Sequence, residues 1–220
     1  MDILLKYPSR SRPNLFADTV NEWQKRAAQP EKLQWLVSLD ADDASLSEYR
    51  SKCDALDIDP IIGTSKTKVE AINADMQLAR DPWDVLVLVS DDMRPVVDSW
   101  DDIIREQMPT LDMALWFVDG RQGELCTLNI FGRPVYERMK CIYHPAFESV
   151  YCDNYFHFIL EHEGRLKRIG APQVFVHEWQ KHNNDALMKR NENPEGYQRD
   201  KATFERLKSH YLKTGEAWPQ

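Results

Sequence analysis

The sequence lacks the long apolar run, the secretory leader and the paired cysteines that mark several protein classes. Its longest clean apolar run, Val85 to Val89, is far shorter than the roughly 20 residues of a membrane-spanning helix. Only Ile3 to Leu5 is apolar before Lys6, which predicts no secretory signal. The 4 cysteines form no CxxC pair, and no N-x-S/T glycosylation site occurs. We therefore expect a cytoplasmic protein with reduced thiols.

Glycine-rich phosphate loops and an excess of basic residues are missing as well. The 8 glycines form neither a GxGxxG nor a GxxxxGK[ST] loop, which disfavours a Rossmann dehydrogenase and a P-loop NTPase. Residues 1–160 carry 17 basic and 27 acidic side chains, and residues 161–220 carry 11 and 9, for net charges of −10 and +2. Because a mainly acidic surface repels nucleic acid, general binding to a nucleic-acid backbone is not expected.

The 220 residues, of which 42% are hydrophobic, are enough for one substantial domain. In the first half, strand-like and helix-like segments alternate with short connections, which is typical of βαβ units. Strands are predicted at Ile3 to Tyr7, Leu33 to Leu39, Pro60 to Gly63 and Trp83 to Val89. The last of these has an apolar run without alternation, which indicates a central strand buried on both faces. The predicted fold class is α/β, with a Rossmann-like, mostly parallel central sheet flanked by helices.

The second half has a different pattern. Two predicted strands, Met113 to Val118 and Leu125 to Phe131, are joined by the turn DGRQG, so that a hairpin replaces the crossover helix. A final helix is predicted from Pro194 to Thr214. We therefore divide the single domain into a nucleotide-binding half, residues 1–108, and a mixed acceptor-side half, residues 109–220.

Polar side chains follow all four predicted strands, at the sheet edge where ligands bind in open parallel sheets. After the fourth strand, Asp91 and Asp92 offer adjacent carboxylates that can hold Mg²⁺ or Mn²⁺, and through the ion a diphosphate. The alternative for either aspartate is an Asx-turn at a strand end. Basic residues at neighbouring strand ends can flank phosphates, namely Arg10, Arg12, Lys66 and Lys68.

Four of these segments together resemble the nucleotide-binding half of GT-A-fold glycosyltransferases, in particular the family-two-like group. They are PSRSRP after the first strand, SLDADD at the end of the second, KVEAIN after the third and SDDM after the fourth. SDDM resembles the DxD-type metal motif, with Ser90 where the commoner spelling has Asp. The resemblance covers about half of the chain. It implies a GT-A-like fold, a Mn²⁺ or Mg²⁺ cofactor and a nucleotide-sugar donor, which we expect to be a UDP-sugar.

The resemblance also implies the residues of a donor site. It implies that the metal and the diphosphate bind at Asp92 and Asp91, and that the base lies near Asp40. The other implied donor-binding residues are Pro8, Ser9, Arg10, Arg12, Lys66, Lys68 and Asn73.

The second half supplies candidates for the reaction itself. Similar enzymes place an Asp general base near the start of a helix, and YCDNYF offers Asp153, with Glu148 as the substitute. The alternative for Asp153 is a helix N-cap. His177 at the end of QVFVH resembles the family's late metal-ligating His, and the alternative is a hydrogen-bonded strand-end His. Trp179 and Trp218 are candidates for stacking on a sugar face.

The sequence therefore predicts a metal-dependent glycosyltransferase. The acceptor is left open between a glycan, a lipid-linked or protein acceptor, and a modified DNA base, since small proteins of this kind include phage-encoded enzymes that glycosylate such bases. The basic tail suits DNA, and the acidic remainder does not. One alternative is a nucleotidyltransferase, which the missing glycine-rich basic loop disfavours. The other is a non-catalytic domain of the same fold that binds a nucleotide or glycan.

Overall fold

The structure is a computed structural model, and it describes residues 1–121, 123–178 and 186–217. Within these ranges the strands are β1 (Ile3–Ser9), β2 (Leu33–Asp40), β3 (Ile61–Gly63), β4 (Val85–Leu88), β5 (Met93–Pro95), β6 (Ala114–Phe117), β7 (Ile130–Gly132), β8 (Leu166–Ile169) and β9 (Phe175–His177). The α-helices are α1 (Pro13–Lys25), α2 (Leu46–Ala55), α3 (Lys68–Asn73), α4 (Trp100–Gln107), α5 (Arg133–Met139), α6 (Cys152–His162), α7 (Ala186–Asn191) and α8 (Pro194–Thr214). None of these helices has the length and apolar character needed to cross a membrane.

A seven-stranded sheet in the order β3-β2-β1-β4-β7-β6-β8 forms the centre of the molecule. β1 pairs in parallel with β2 and β4, β2 pairs in parallel with β3, and β6 pairs in parallel with β8. β7 is antiparallel to both of its neighbours. β5 and β9 form a separate antiparallel pair. The predicted α/β fold, with a mostly parallel central sheet flanked by helices, is confirmed.

The two central strands bury side chains on both faces of the sheet. Ile3 and Leu5 of β1 belong to one hydrophobic layer, and Leu4 between them belongs to the other. Val85 and Leu86 of β4 divide between the layers in the same way. Because helices cover both faces, β4 has apolar residues at every position, which explains why the sequence shows no alternation there.

β6 and β7 pair antiparallel, as in the predicted hairpin, but the connection between them is longer than the predicted turn. Only Ile130 and Phe131 of the predicted second strand lie in β7, and the chain leaves the sheet well before them. The Thr127 hydroxyl donates to Asp119 Oδ2 at 2.6 Å, and Gly120 has a φ of +79°. These contacts stabilise a long loop in place of a tight turn. The loop contributes to the groove described below.

α3 is shorter than its apolar pattern predicts. Val69, Ile72, Met76 and Ala79 recur at helical spacing, which predicts a helix from about Thr67 to Ala79, whereas α3 ends at Asn73. Asp75 takes a left-handed backbone conformation with a φ of 65°, and a 3₁₀ turn, Met76–Leu78, follows. Because the helix stops there, Asp75 lies at the groove that crosses the strand ends.

Candidate functional site

An open groove of about 950 Å³ lies at the carboxyl ends of β1, β2 and β4. The loops after these strands form one side of it, and α3, α6, α7 and α8 contribute to the rest. The predicted site residues that line it are Pro8, Ser9, Arg10, Arg12, Asp40, Lys68, Asp91, Asp92, Asp153 and His177. The fold thus brings together residues that are far apart in the sequence, as expected for an open parallel sheet.

Asp92 and His177 lie next to each other in the groove. His177 Nε2 is 3.3 Å from Asp92 Oδ2, and the Ser90 hydroxyl donates to Asp92 Oδ1 at 2.7 Å. The β5–β9 pairing explains this proximity, because its register places Met93 opposite His177. The backbone N–H of Glu178 also donates to the carbonyl of Asp92 at 2.7 Å.

Asp119 fixes the orientation of the His177 ring, and the sequence analysis missed it. Its Oδ2 is 3.1 Å from His177 Nδ1, on the side of the ring away from Asp92. Asp119 is 1% exposed and also accepts hydrogen bonds from the Thr127 hydroxyl and from the backbone N–H of Arg121. A carboxylate behind a histidine is the usual arrangement at metal sites. The available signal was an aspartate followed by glycine at the end of β6.

The charges of this pair follow from their surroundings. Burial raises the pKa of Asp92, but the hydrogen bonds from His177 and Ser90 outweigh it and hold the pKa well below its usual range. Burial lowers the pKa of His177, but Asp119 and Asp92 outweigh it and raise the pKa to about 9. Asp92 is therefore ionised at neutral pH. A metal ion that binds His177 displaces a proton from it.

The pair suits a divalent metal ion. Among the residues that the structure describes, no three His, Cys, Asp or Glu side chains form a cluster that could hold a metal. The 3.3 Å between Asp92 Oδ2 and His177 Nε2 is close to the separation of about 3 Å between adjacent octahedral ligands with bonds of about 2.1 Å. The remaining positions would need ligands from outside the protein, such as phosphate oxygens or water.

Asp91 is turned away from this pair and is 7% exposed. The Tyr7 hydroxyl donates to Asp91 Oδ1, and the Ser9 hydroxyl donates to the same oxygen at 3.3 Å. Arg12 Nη1 donates to Oδ2 at 3.3 Å. Burial is the main cause that raises the pKa of Asp91. Both of its oxygens are thus bound by the protein, and the carboxylate holds the loop after β1 in place.

The arginine after Ser9 is also paired with carboxylates. Arg10 Nη1 donates to Asp40 Oδ2 at 2.8 Å and to Asp42 Oδ1 at 2.6 Å. The other oxygen of Asp40 accepts from the backbone N–H of Ser65 at 3.1 Å. Pairing with Asp42 and Asp40 raises the pKa of Arg10. Arg10 therefore adds little unbalanced positive charge to the groove.

Asp153 and Lys68 lie at the starts of α6 and α3. The N-cap of α6 is Tyr151, so Asp153 is not the cap. Asp153 Oδ1 accepts from the backbone N–H of Asn154 at 2.9 Å. Burial raises the pKa of Asp153, while the charge of Lys68 acts against it. Burial lowers the pKa of Lys68, and acidic neighbours that include Asp153 and Asp92 raise it above its ordinary value. Lys68, which is exposed at the groove, is therefore a cation whose charge both carboxylates favour.

Three predicted residues do not line the groove. Glu148 Oε2 pairs with Arg199 Nη1 at 2.9 Å, with both side chains 47% exposed. The Asn73 amide donates to the carbonyl of Tyr143 at 2.7 Å and ties α3 to that segment. Lys66 is exposed. Closeness in sequence to a strand end did not determine where these side chains point. Two further candidates, Trp179 and Trp218, lie outside the described residues.

Comparison with known proteins gives matches among solved structures alone, since no protein-family model and no curated protein matches the sequence. The mannosyltransferase PcManGT from Pyrobaculum calidifontis, in complex with GDP-Man and Mn²⁺, aligns with a TM-score of 0.66 and 14% identity over 82% of this chain and 57% of that chain. TarS from S. aureus, in complex with UDP, aligns with a TM-score of 0.58 and 12% identity over 96% of this chain and 72% of that chain. A cytidylyltransferase from Leptospira borgpetersenii aligns with a TM-score of 0.51 and 10% identity over 79% of this chain and 76% of that chain.

At these identities the likeness shows the fold. The GT-A-like fold predicted from the sequence is confirmed, and it is shared by glycosyltransferases and by nucleotidyltransferases. This chain spans 57% of the mannosyltransferase chain and 44% of another TarS chain.

Proposed function

We propose that the chain is a metal-dependent glycosyltransferase that moves a sugar from a nucleoside diphosphate donor to an acceptor hydroxyl. The observation that carries this proposal is the Asp92–His177 pair, held by Asp119, in the same groove as Asp153 and Lys68. The ligands of proteins with the same fold give further support, since structures have been solved with GDP-Man and Mn²⁺, with UDP and with UDP-GlcNAc. A UDP-sugar is the donor we expect.

In this proposal Asp92 Oδ2 and His177 Nε2 hold the metal ion. The imidazole nitrogen favours Mn²⁺, because Mg²⁺ takes mainly oxygen ligands. The ion would neutralise the negative charge of the diphosphate leaving group. Lys68 adds a second positive charge beside Asp92. Asp91 keeps the loop with Ser9 in place for the donor, and the nucleoside lies against Pro8 and Asp40.

Asp153 is the proposed general base. As the acceptor oxygen bonds to the sugar carbon, the bond from that carbon to the diphosphate breaks and the acceptor proton passes to the Asp153 carboxylate. Burial raises the pKa of Asp153, which makes its carboxylate a stronger base than an exposed one. The charge of Lys68 acts against burial and favours the ionised form at neutral pH. Glu148 is not included, because its side chain pairs with Arg199 outside the groove.

A nucleotidyltransferase is the second candidate, since proteins of the same fold include a cytidylyltransferase. Such an enzyme must bind a triphosphate with cationic groups near the first strand. Here Arg10 pairs with Asp40 and Asp42, and Arg12 pairs with Asp91. This pairing favours the diphosphate donor over the triphosphate. A glycosyltransferase releases UDP from its donor, a nucleotidyltransferase releases pyrophosphate, and a binding domain releases neither.

Thermal shift with UDP-, GDP-, CDP- and TDP-sugars, with and without Mn²⁺, tests the proposal. A donor at 100 times its Kd stabilises the fold by about 2.7 kcal/mol. We expect this stabilisation to require Mn²⁺ and to be lost in Asp92→Asn. The matched control is Asp98→Asn, because Asp98 is an 84% exposed carboxylate that does not line the groove. Equal Mn²⁺-dependent binding by Asp92→Asn and by the unmodified chain contradicts the proposal.

A further inference from the structure

The groove extends from Asp153 to a cluster of aromatic rings between α6 and α8. Tyr151, Tyr197 and Phe204 line this part, which we call the aromatic wall. The Tyr151 and Tyr197 rings meet at 5.1 Å between centroids, and Tyr151 stacks on Phe204 at 5.8 Å. The two tyrosine hydroxyls are 3.1 Å apart. Tyr197 is 49% exposed, so a face of the wall is open to a ligand.

The backbone couples the aromatic wall to the proposed base. Tyr151 has a φ of +59°, a left-handed conformation that is unusual for a bulky side chain. Such a conformation costs about 1–3 kcal/mol and persists where surrounding contacts determine it. Here the contacts with Tyr197 and Phe204 hold the Tyr151 side chain. Tyr151 is also the N-cap of α6, two residues before Asp153. The wall and the carboxylate therefore have a fixed relation to each other.

A buried hydroxyl beside the wall has no partner. Ser149 is 6% exposed and lines the groove, and its Oγ makes no hydrogen bond to any residue that the structure describes. Buried polar groups are normally satisfied, and exceptions in native proteins call for an explanation. The oxygen is covered by its surroundings, and a small shift of the loop that admits a ligand hydroxyl or a water would satisfy it.

Acidic side chains outnumber basic ones in the lining of the groove. The acidic ones are Asp40, Asp75, Asp91, Asp92, Glu124, Asp153, Glu161 and Glu192, and the basic ones are Arg10, Arg12, Lys68, Arg121 and Arg190. A polyanion such as DNA would need an excess of positive charge here. The lining therefore favours a neutral ligand.

We propose that Tyr151, Tyr197 and Phe204 form an acceptor subsite for a neutral saccharide, so that the hydroxyl that receives the sugar belongs to a sugar ring. This inference rests on the proposed glycosyltransferase function. A sugar ring presents an apolar C–H face that packs on aromatic rings, and hydroxyl groups that pair with Ser149 and the tyrosine hydroxyls. Apolar walls with a few placed polar groups are the usual composition of small-molecule sites.

The test begins with an array of neutral and acidic oligosaccharides, single-stranded DNA and acidic peptides, probed with the unmodified chain. The saccharide that binds best is then titrated against Tyr197→Ala and Leu212→Ala. Leu212 is a matched control, because it is 61% exposed on the same helix and does not line the groove. We expect Tyr197→Ala to weaken saccharide binding and transfer at least about tenfold, and Leu212→Ala to leave both unchanged.

Release of UDP from the donor without any acceptor is measured in parallel, and Tyr197→Ala should retain it. If UDP is released but no saccharide of the array binds or accepts the sugar, the acceptor inference is overturned and the proposed function stands. Equal saccharide affinity in Tyr197→Ala, or transfer to DNA or peptide instead, overturns it as well. If no donor is bound or cleaved, the proposed function fails. Saccharide binding is still measured directly on the array, because that measurement needs no donor.

Discussion

A buried carboxylate on α8 holds the loop that leads into α6. Asp200 is 0% exposed, and its Oδ2 accepts hydrogen bonds from the backbone N–H groups of Ser149 at 2.8 Å and Val150 at 3.0 Å. The N–H of Glu148 lies 3.3 Å from Oδ1. This loop continues directly into Tyr151 and the start of α6. We therefore predict that Asp200 supports both the fold and the position of Asp153.

The size of the effect follows from these contacts. Asp200→Ala removes the acceptor from two well-formed hydrogen bonds and a longer third one, and each buried group left without a partner costs about 1–3 kcal/mol. Because the loop can shift and admit water, we expect a total loss of about 3 kcal/mol in the free energy of unfolding. Asp200→Asn keeps one acceptor oxygen but directs an N–H₂ group at N–H donors, so it should lose about half as much.

Urea unfolding of the three proteins measures this loss, with Glu205→Ala as the control. Glu205 is an exposed carboxylate on the same helix. A second measurement separates the role of Asp200 in positioning Asp153 from its role in stability. At a temperature where Asp200→Asn is fully folded, its acceptor-dependent turnover should fall while its Mn²⁺-dependent donor binding is retained. An Asp200→Ala stability within 0.5 kcal/mol of the unmodified chain, the usual range for surface substitutions, would refute the reasoning.

Three further changes probe other parts of the structure. Asp119→Ala should weaken Mn²⁺-dependent nucleotide binding about 10- to 100-fold in calorimetry, because His177 loses the carboxylate that orients it, and unchanged affinity would count against that role. Burial lowers the pKa of Lys6 from 10.5 to about 8, so the unfolded chain binds more protons than the native one between these pH values. The unfolding free energy of the unmodified chain, relative to that of Lys6→Met, should therefore rise with pH across that window, by at most about 1.4 kcal/mol per pH unit. The same difference in unfolding free energy at pH 7 and at pH 9.5, measured by urea unfolding, would disprove this. Gly132→Ala places a Cβ 1.9 Å from the carbonyl oxygen of Leu111 and should lower the unfolding free energy by about 2 kcal/mol in thermal melts, whereas an unchanged melting temperature would contradict the close packing.

Elements with strong local signals were predictable from the sequence. α8 begins and ends where expected, because Pro194 occupies its first turn and Gly215 takes the left-handed conformation after its end. β4 was found because burial on both faces requires uninterrupted apolar residues. In each case the information lies within the element itself.

Elements that depend on distant partners were not predictable in this way. β5 has three residues, ends in Pro95 and forms only because β9 pairs with it. The loop that carries Asp119 is longer than the predicted turn, and the Thr127 hydroxyl bonds to Asp119 within it. Neither feature has a signal inside a single strand or helix. The pairing of β5 with β9 also brings His177 to Asp92, so the least predictable part of the fold builds the proposed metal site.

The two adjacent aspartates illustrate the same limit. The sequence offered both Asp92 and Asp91 as ligands, but their side chains diverge in the turn between β4 and β5, where the N–H of Met93 donates to the carbonyl of Ser90 at 3.2 Å. Ser90 and Asp92 share one side and bond to each other, while Asp91 lies on the other side with Tyr7. With a serine at the first position of the motif, a single carboxylate of SDDM faces the proposed metal position. In the proposed site the second protein ligand comes from elsewhere in the chain, and it is His177, whose Nε2 lies 3.3 Å from Asp92 Oδ2.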